Sequence, residues 1–484
     1  MSATTTAPDL DQLVAAASAA APAMARATGE QRARWLEAVA DALDAAGGEL
    51  VPIAIAETHM PEARLTGEVA RTTGQLRLFA AVVRDGGYLE AIIDHARPDA
   101  TPPQPELRRV LVPIGPVAVY AASNFPFAFS VAGGDTASAL AVGCPVVVKA
   151  HPGHLELSRR TADVVRAALA GAGAPDGAFG LVEGLEAGRD LVQHPAIKAA
   201  GFTGSLHGGR VLFDLANGRP APIPFYAELG SVNPVVITPA AAAASAAQLA
   251  SGLVGSFTLG AGQFCTNPGV VLVPAGAGLE DAVAEALGAA KPAPLLNGRI
   301  EEGFHAGLEA LTGHASVEVI ARQGEGATDE VPAPTVLATT AAAVVADPDT
   351  LLAECFGPVT LLVRYADEAE RDAVLGSLEG SLTATVHAAP GEDVRALAET
   401  LSGLAGRVLF GGWPTGVAVT WSQHHGGPWP ATTSIHTSVG ATAARRFQRP
   451  VVFQDAPASV LPPALQDDNP LGIPRRVDGT LVVG

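Results

Sequence analysis

Val117-Ala118-Val119-Tyr120-Ala121, Val146-Val147-Val148-Lys149 and Ala199-Ala200-Gly201-Phe202-Thr203 are short, mostly apolar runs with Gly or Pro close by, separated by longer Ala- and Leu-rich stretches. A run of four or five residues that is apolar on both faces reads as a strand covered by helices on either side, as in a parallel sheet. Outward from these runs, residues 107–112 and 180–182 read as further strands. Residues 127–141, 155–169 and 188–194 read as helices, so strand and helix alternate as an α/β fold requires. A second alternating region begins near Val235, with an Ala-rich helix over 240–254 and strands at 269–273, 360–363 and 384–387. Before the first strands, Leu13, Val14, Trp35, Leu36, Val39 and Leu43 recur at helical spacing and Gly47-Gly48 supplies a stop. Residues 65–83 continue helical, with Arg64, Arg71 and Arg77 marking solvent faces, and the Pro-rich 98–105 stretch is a crossing or linker.

The chain has 484 residues, and 30 Lys+Arg against 49 Asp+Glu give a net charge of −19. A duplex binder needs clustered cations to displace phosphate counterions, so this balance excludes nucleic acid as a partner. At about 150 residues per domain the length predicts roughly two or three domains. Three cysteines, Cys144, Cys265 and Cys355, make no disulfide framework and no Cys-x-x-Cys spacing, so no metal is expected and a reducing compartment is. No basic n-region opens the chain, and no apolar run of about 18 residues free of charges or helix breakers is present, which predicts a cytoplasmic protein without a membrane partner.

The informative cysteine is Cys265, in Gly260-Ala261-Gly262-Gln263-Phe264-Cys265-Thr266-Asn267-Pro268-Gly269. Glycines before a cysteine let backbone approach a ligand closely, and an N–H there can point at an oxyanion. In chain order it stands among Asn124-Phe125-Pro126, Lys149 at a strand end, Phe202-Thr203-Gly204-Ser205, Glu228-Leu229-Gly230-Ser231-Val232-Asn233-Pro234 and Glu354-Cys355-Phe356-Gly357-Pro358. Together these resemble the aldehyde dehydrogenase superfamily. Further stretches are similar to its branch of α-ketoglutaric semialdehyde (2,5-dioxopentanoate) dehydrogenases and NADP-dependent fatty aldehyde dehydrogenases. They are Ala122-Ser123-Asn124, Ser130-Val131-Ala132-Gly133-Gly134-Asp135, Val148-Lys149-Ala150-His151-Pro152, Gly204-Ser205-Leu206-His207-Gly208-Gly209-Arg210, Trp413-Pro414-Thr415-Gly416-Val417 and His425-Gly426-Gly427-Pro428. Many members of the superfamily carry Trp before the Asn; Ser123 stands here.

The resemblance assigns roles. Cys265 attacks the aldehyde as a thiolate of lowered pKa, Asn124 and the Cys265 N–H hold the oxyanion, and Glu228 activates water against the thioester. His425 either assists deprotonation of Cys265 or is structural, with His424 beside it leaving the alignment open. Thr203, Gly204 and Ser205 meet the cofactor pyrophosphate at a helix N-terminus, Glu354 holds the nicotinamide ribose, and Phe356 packs near the nicotinamide. Lys149 meets the adenosine ribose or a 2′-phosphate. A glutamate commonly lies three residues beyond that lysine in NAD-preferring members; Pro152 in its place, with His151, Arg189 and Arg210 nearby, favours NADP while leaving NAD open. Phe125, Phe129, Ala132, Phe264 and Thr266 line the aldehyde tunnel, and no cation for a substrate carboxylate is identifiable.

The implied reaction is NAD(P)-dependent oxidation of 2,5-dioxopentanoate to 2-oxoglutarate, with fatty or other semialdehydes as the alternative. A catalytically silent binding protein tolerates loss of the nucleophile or base, yet both are present, and Glu228 favours hydrolysis over transfer to coenzyme A. The implied architecture is an α/β aldehyde dehydrogenase fold. A Rossmann-like cofactor domain spans 1–95 and 114–228, a catalytic domain spans 229–454, and a small β bridging element joins 96–113 to 455–484. Homo-oligomers, dimer or tetramer, follow from that shape, with 480–483 a strand able to join a neighbour's sheet.

Overall fold

A computed structural model describes residues 4–328 and 330–483, so the extreme ends of the first and last sequence segments, residues 1–3 and 484, lie outside it. Three sheets organise the chain. The first has five parallel strands in the spatial order Phe179–Val182, Val146–Lys149, Val117–Tyr120, Ala199–Thr203 and Phe225–Glu228. Its strand order reverses between Val117–Tyr120 and Ala199–Thr203. In open α/β sheets ligands bind outside the carboxyl ends of strands near such a reversal. Lys149, Thr203 and Glu228 are the last residues of their strands.

The second sheet has seven strands, Glu318–Arg322, Thr335–Thr340, Val359–Tyr365, Val270–Pro274, Val235–Ile237, Ser381–His387 and Ala405–Phe410, with only the first antiparallel. The central strands of both sheets, such as Val117–Tyr120, Val146–Lys149, Val235–Ile237 and Val270–Pro274, are buried on two faces, which is why they are nearly continuous Val, Leu, Ile and Ala. The third sheet pairs Gln448–Gln454, Leu107–Pro113, Ile92–Asp94, Arg475–Val477 and Thr480–Val482. Residues 92–94 and 448–454 therefore belong to this small sheet, because their register with Leu107–Pro113 fixes them there, rather than to the segments in which the sequence division places them. Thr480–Val482 forms a hairpin with Arg475–Val477 of its own chain and is the sheet's edge.

Three helix expectations are corrected by packing. Gly47-Gly48 ends nothing: the helix Gly29–Thr58 runs through it and stops at His59, whose φ is +57°. Two glycines cost such a helix about 2 kcal/mol relative to Ala, and Leu50, Val51 and Ala54 beyond them are all buried. Residues 127–133 form turns, and the helix starts only at Gly134 (Gly134–Val142). The N–H groups of Phe127 and Ala128 are taken by the Glu68 carboxylate at 2.8 and 2.9 Å. The helix Glu62–Asp85 presents Arg77 to solvent, where it pairs with Asp41 and Asp44, but turns Arg64 and Arg71 inward. Among the described residues one helix, Pro239–Phe257, is long and apolar enough to cross a membrane; its Leu249, Leu253 and Phe257 are packed with Val235, Ile237 and Val271 of the second sheet.

Candidate active site

Where the first two sheets meet, the loop carrying Cys265 crosses the carboxyl end of Phe225–Glu228. Gly260, Ala261 and Gly262 adopt left-handed φ of +57°, +56° and +70°. At Gly262 a Cβ would lie 2.1 Å from the Gly357 carbonyl, so only glycine fits and the loop lies flat on the Glu354-Cys355-Phe356-Gly357 segment. Asn233 locks the loop from the other side: its Nδ2 donates to the carbonyls of Cys265 at 2.8 Å and Asn267 at 2.9 Å, while its Oδ1 accepts from Thr383. The sequence alone gives Asn233 no role; its place in the Glu228 motif is the available signal, and the structure shows it at a φ of +48°.

The segment 425–438 is sewn to the first sheet. Leu229 N–H donates to Ala431, Thr433 N–H to Ala227, and Glu228 bridges Thr432. His425 thereby arrives beside Glu228, held by its own N–H to the Thr437 hydroxyl at 2.8 Å. Its Nε2 lies 2.9 Å from Glu228 Oε1 and 3.5 Å from Cys265 Sγ. Ser438 Oγ donates to Glu228 Oε2 at 2.7 Å, a partner sequence reading missed because nothing marks one serine among many. The ambiguity between neighbouring histidines is resolved by contact: His425 reaches the sulfur, while the His424 ring rests near Gly406 and Gly426. Cys144 and Cys355 hydrogen-bond the carbonyls of Phe447 and Phe304 instead.

Burial alone raises the Glu228 carboxyl; the charge and hydrogen bond of His425, with Ser438 and the thiol, outweigh it and hold Glu228 below the ordinary carboxylate range. Cys265 moves the other way. Burial first, then the Glu228 charge, then Glu354 lift the thiol well above its ordinary value, with Arg71 opposing. The expectation of a thiol made acidic by local dipoles or cations is thus corrected, because a carboxylate sits within reach of the sulfur and the resting state is a protonated thiol beside a base. Sγ, Nε2 and the carboxylate lie within 4.8 Å of one another, a set that a soft cation would also find.

Asn124 is buried, and its Nδ2 donates to the Gln263 carbonyl at 3.1 Å, leaving its second N–H for another acceptor. Among the described residues the Cys265 backbone N–H has no hydrogen-bond partner. Phe125, Phe129 and Phe264 form a ring cluster, with Phe125 centroids 5.4 and 5.3 Å from Phe129 and Phe264, and Phe129 6.3 Å from His425. Ala132 is packed in the core, and the buried Thr266 gives its hydroxyl to the Thr415 carbonyl at 2.9 Å, which ties down the 413–417 segment.

On the cofactor side, Ser205 caps the helix Leu206–Asn217, and Gly204 and Ser205 are exposed. The ammonium of half-buried Lys149 has no hydrogen bond or ion pair among the described residues, and desolvation lowers it below the ordinary value. Such an unpaired cation and an open helix N-terminus suit the hydroxyls and phosphates of a dinucleotide. Glu354 is an exposed residue, and its carboxylate lies so close to Gly230 that a Cβ there would be 2.2 Å from Oε2. Removal from water raises it to about 7, against the pull of the Ser231 N–H. Phe356 borders the same cleft, with Glu354 and Ser231.

The cations expected near Lys149 are fewer than the sequence reading assigns. His151 accepts from Gly153 N–H through Nδ1, and burial, then His154 and Lys149, push it down to about 3, so it is neutral. Arg189 pairs with Glu186 and Arg210 with Asp214, each on its own helix. Arg299, at the start of the helix Gly298–Gly313, exerts its charge on His151 and was not singled out.

Comparison with known proteins places the chain. The model of the aldehyde dehydrogenase family matches residues 2–429. The alpha-ketoglutaric semialdehyde dehydrogenase 2 of Azospirillum brasilense is 50% identical over 458 residues, 93% of this chain and 87% of the relative. The alpha-ketoglutaric semialdehyde dehydrogenase of Acinetobacter baylyi is 42% identical over 98% of this chain and 92% of its own. Among solved structures, aldehyde dehydrogenase 21 of Physcomitrella patens superposes with a TM-score of 0.78 at 21% identity, covering 95% of this chain and 92% of that one, a likeness of fold.

Proposed function

Because the chain belongs to the aldehyde dehydrogenase family, we propose that it oxidises 2,5-dioxopentanoate to 2-oxoglutarate with NAD(P)+ as hydride acceptor. The observation that carries this reading is the contact of Cys265 Sγ, His425 Nε2 and Glu228 Oε1 in a chain 50% identical to a dehydrogenase of that semialdehyde.

The residues divide the work as follows. The Cys265 thiol attacks the aldehyde carbon as its proton passes to the adjacent His425–Glu228 pair. The former carbonyl oxygen, now negative, meets the free N–H of Asn124 and the unpartnered N–H of Cys265. Losing one such donor costs about 10² to 10³ in rate. Bound NAD(P)+ supplies the acceptor for the hydride that the thiohemiacetal carbon gives up. Once the pair has released the thiol's proton to solvent, Glu228, ionised because its carboxyl is held low, takes a proton from water as that water attacks the thioester, and passes it on to the departing sulfur. The carboxylic acid departs and the thiol is restored.

Lys149 and the 203–205 turn hold the dinucleotide, and Glu354 and Phe356 its nicotinamide end. NADP is the preferred form: Pro152 places no carboxylate near Lys149, and Lys149 has no counter-ion to give up. The first sheet with the helices around it is the cofactor domain, the second the catalytic domain, and the third the bridging element. The exposed Leu481 and Val482 on the edge strand of that third sheet favour a homo-oligomer, and three free cysteines suit the cytoplasm.

Initial-rate formation of NAD(P)H from 2,5-dioxopentanoate, succinic semialdehyde and a long-chain aldehyde, each with NAD+ and NADP+, tests the reading. The expected result is the highest kcat/KM for 2,5-dioxopentanoate with NADP+; a long-chain aldehyde in first place refutes the substrate, and NAD+ in first place refutes the cofactor preference.

A further inference from the structure

A substrate that ends in a carboxylate needs a cation at the far end of its tunnel, and the helix Glu62–Asp85 brings two. Arg64, Glu68 and Arg71 stand at i, i+4 and i+7, so they share one helix face. The Arg64 guanidinium lies 5.1 Å from the Phe125 ring centroid and 4.7 Å from that of Phe264, and its Nη2 donates to the Asn124 carbonyl at 2.7 Å. The Arg71 guanidinium lies 5.1 Å from the Phe129 centroid. Both cations therefore stand on the ring cluster in front of Cys265.

Arg71 is the less satisfied of the two. Its Nε and Nη2 reach only the Val417 carbonyl, at 3.4 and 3.3 Å, and its Nη1 is buried without a partner. Its charge is felt at Cys265 and Glu228, which places it within the field of the reacting atoms. Glu68 does not cancel the pair. One of its oxygens is committed to the N–H groups of Phe127 and Ala128, and among the described residues it makes no ion pair within 4.0 Å. Two guanidiniums thus face one carboxylate, and a buried cation left without a partner is costly unless a ligand supplies the anion.

Resting on the aldehyde-oxidising reading of the site, we propose that Arg71, with Arg64 beside it, binds the distal carboxylate of the substrate and selects short aldehydes carrying an anionic end over neutral aldehydes of equal length. The aromatic walls hold the intervening carbons, and the orphaned Nη1 gains its missing acceptor. Arg407, on the strand Ala405–Phe410, is the competing cation: its Nε and Nη2 are also buried without partners and its charge reaches Cys265, but it stacks on none of the tunnel rings among the described residues.

The test compares 5-oxopentanoate with pentanal as substrates, and measures glutarate binding to the free enzyme by calorimetry, for the wild type and for Arg71→Met, Arg71→Lys and Arg407→Met. In the wild type 5-oxopentanoate is expected to outrun pentanal. Arg71→Met is expected to reduce kcat/KM for 5-oxopentanoate by about 30- to 5000-fold, mainly through KM, the usual range for truncating one member of a desolvated charge pair. The loss for pentanal is expected to be at least tenfold smaller, glutarate binding is expected to weaken in parallel with that for 5-oxopentanoate, and Arg71→Lys is expected to recover part of both. Equal losses for both aldehydes, unchanged glutarate binding, or a change of preference in Arg407→Met alone overturns the assignment. The two readings fail separately: if 2,5-dioxopentanoate is a poor substrate while Arg71→Met still erases the preference for 5-oxopentanoate, the named substrate falls and the anion site stands. If the enzyme turns over no aldehyde, glutarate binding that depends on Arg71 upholds the site, and binding indifferent to Arg71 refutes it.

Discussion

Replacing Glu228 with Gln should make the nucleophile more reactive and the enzyme slower. The carboxylate and Cys265 Sγ lie within 4.8 Å, and two unit charges at that separation interact by about 3 kcal/mol at an effective dielectric constant near 20. Glu228→Gln removes that repulsion from the thiolate while keeping a side chain of the same size against Ser438. Because the carboxylate raises the thiol's pKa, its removal moves thiolate formation to lower pH. At a fixed neutral pH, alkylation by iodoacetamide is then expected to speed up on the order of 100-fold, the equivalent of that energy. Thioester hydrolysis loses its base, a loss of about 10² to 10⁴ in rate. Rapid mixing with aldehyde and cofactor should therefore give a burst of close to one NAD(P)H per active site followed by a slow phase. Alkylation that is unchanged or slower in Glu228→Gln refutes the electrostatic account of Cys265, and undiminished steady-state turnover removes Glu228 as the base.

Asn124→Ala should lower kcat by about 10² to 10³ with cofactor affinity unchanged in a fluorescence titration, since one of two oxyanion donors is lost. Pro152→Glu brings a carboxylate near Lys149 and should lower kcat/KM for NADP+ by roughly tenfold or more while sparing NAD+, as initial rates with both cofactors will show. Ser438→Ala removes a 2.7 Å donor to the ionised Glu228, so the carboxyl pKa rises and the acid limb of the kcat–pH profile should shift to higher pH. An unshifted limb would show that hydrolysis does not depend on Glu228 ionisation.

Strand-like runs, the chemistry of Cys265 and the order of the short motifs were readable along the chain because each is local: a few apolar residues, a glycine at a forced φ, a carboxylate at a strand end. What was not readable depends on which residues meet from afar. Ser438 lies 210 positions from Glu228, and the two join only because 425–438 is stitched across the strand Phe225–Glu228. The direction of the thiol's pKa is hidden for the same reason, since beyond burial its largest charged neighbour, Glu228, comes from another segment. His151 counts as a cation by composition, but burial, with His154 and Lys149 beside it, makes it neutral. Arg64 and Arg71 read as solvent residues because arginines on a helix usually are; two turns of one helix, seven residues apart, carry a single face, and that face meets Phe125, Phe129 and Phe264.

Glu68 joins this helix to the chemistry, and its substitution separates two jobs. Glu68 Oε1 receives the N–H groups of Phe127 and Ala128, in the turn that replaces the expected helix directly after Asn124. Glu68→Ala leaves both donors buried without an acceptor, at about 1 to 3 kcal/mol each, or about 2 to 6 kcal/mol of unfolding free energy in all. Glu68→Gln keeps an oxygen acceptor in the same place and should cost less than half of that. Chemical denaturation measures both. If the turn also fixes Asn124, kcat should fall in Glu68→Ala beyond its fall in Glu68→Gln, because only the first frees the backbone three residues from the oxyanion donor. Equal stability and equal kcat for the two variants would mean that the turn after Asn124 holds itself, through Pro126 and the core contacts of Phe127, and that Glu68 serves only to lower the charge between Arg64 and Arg71.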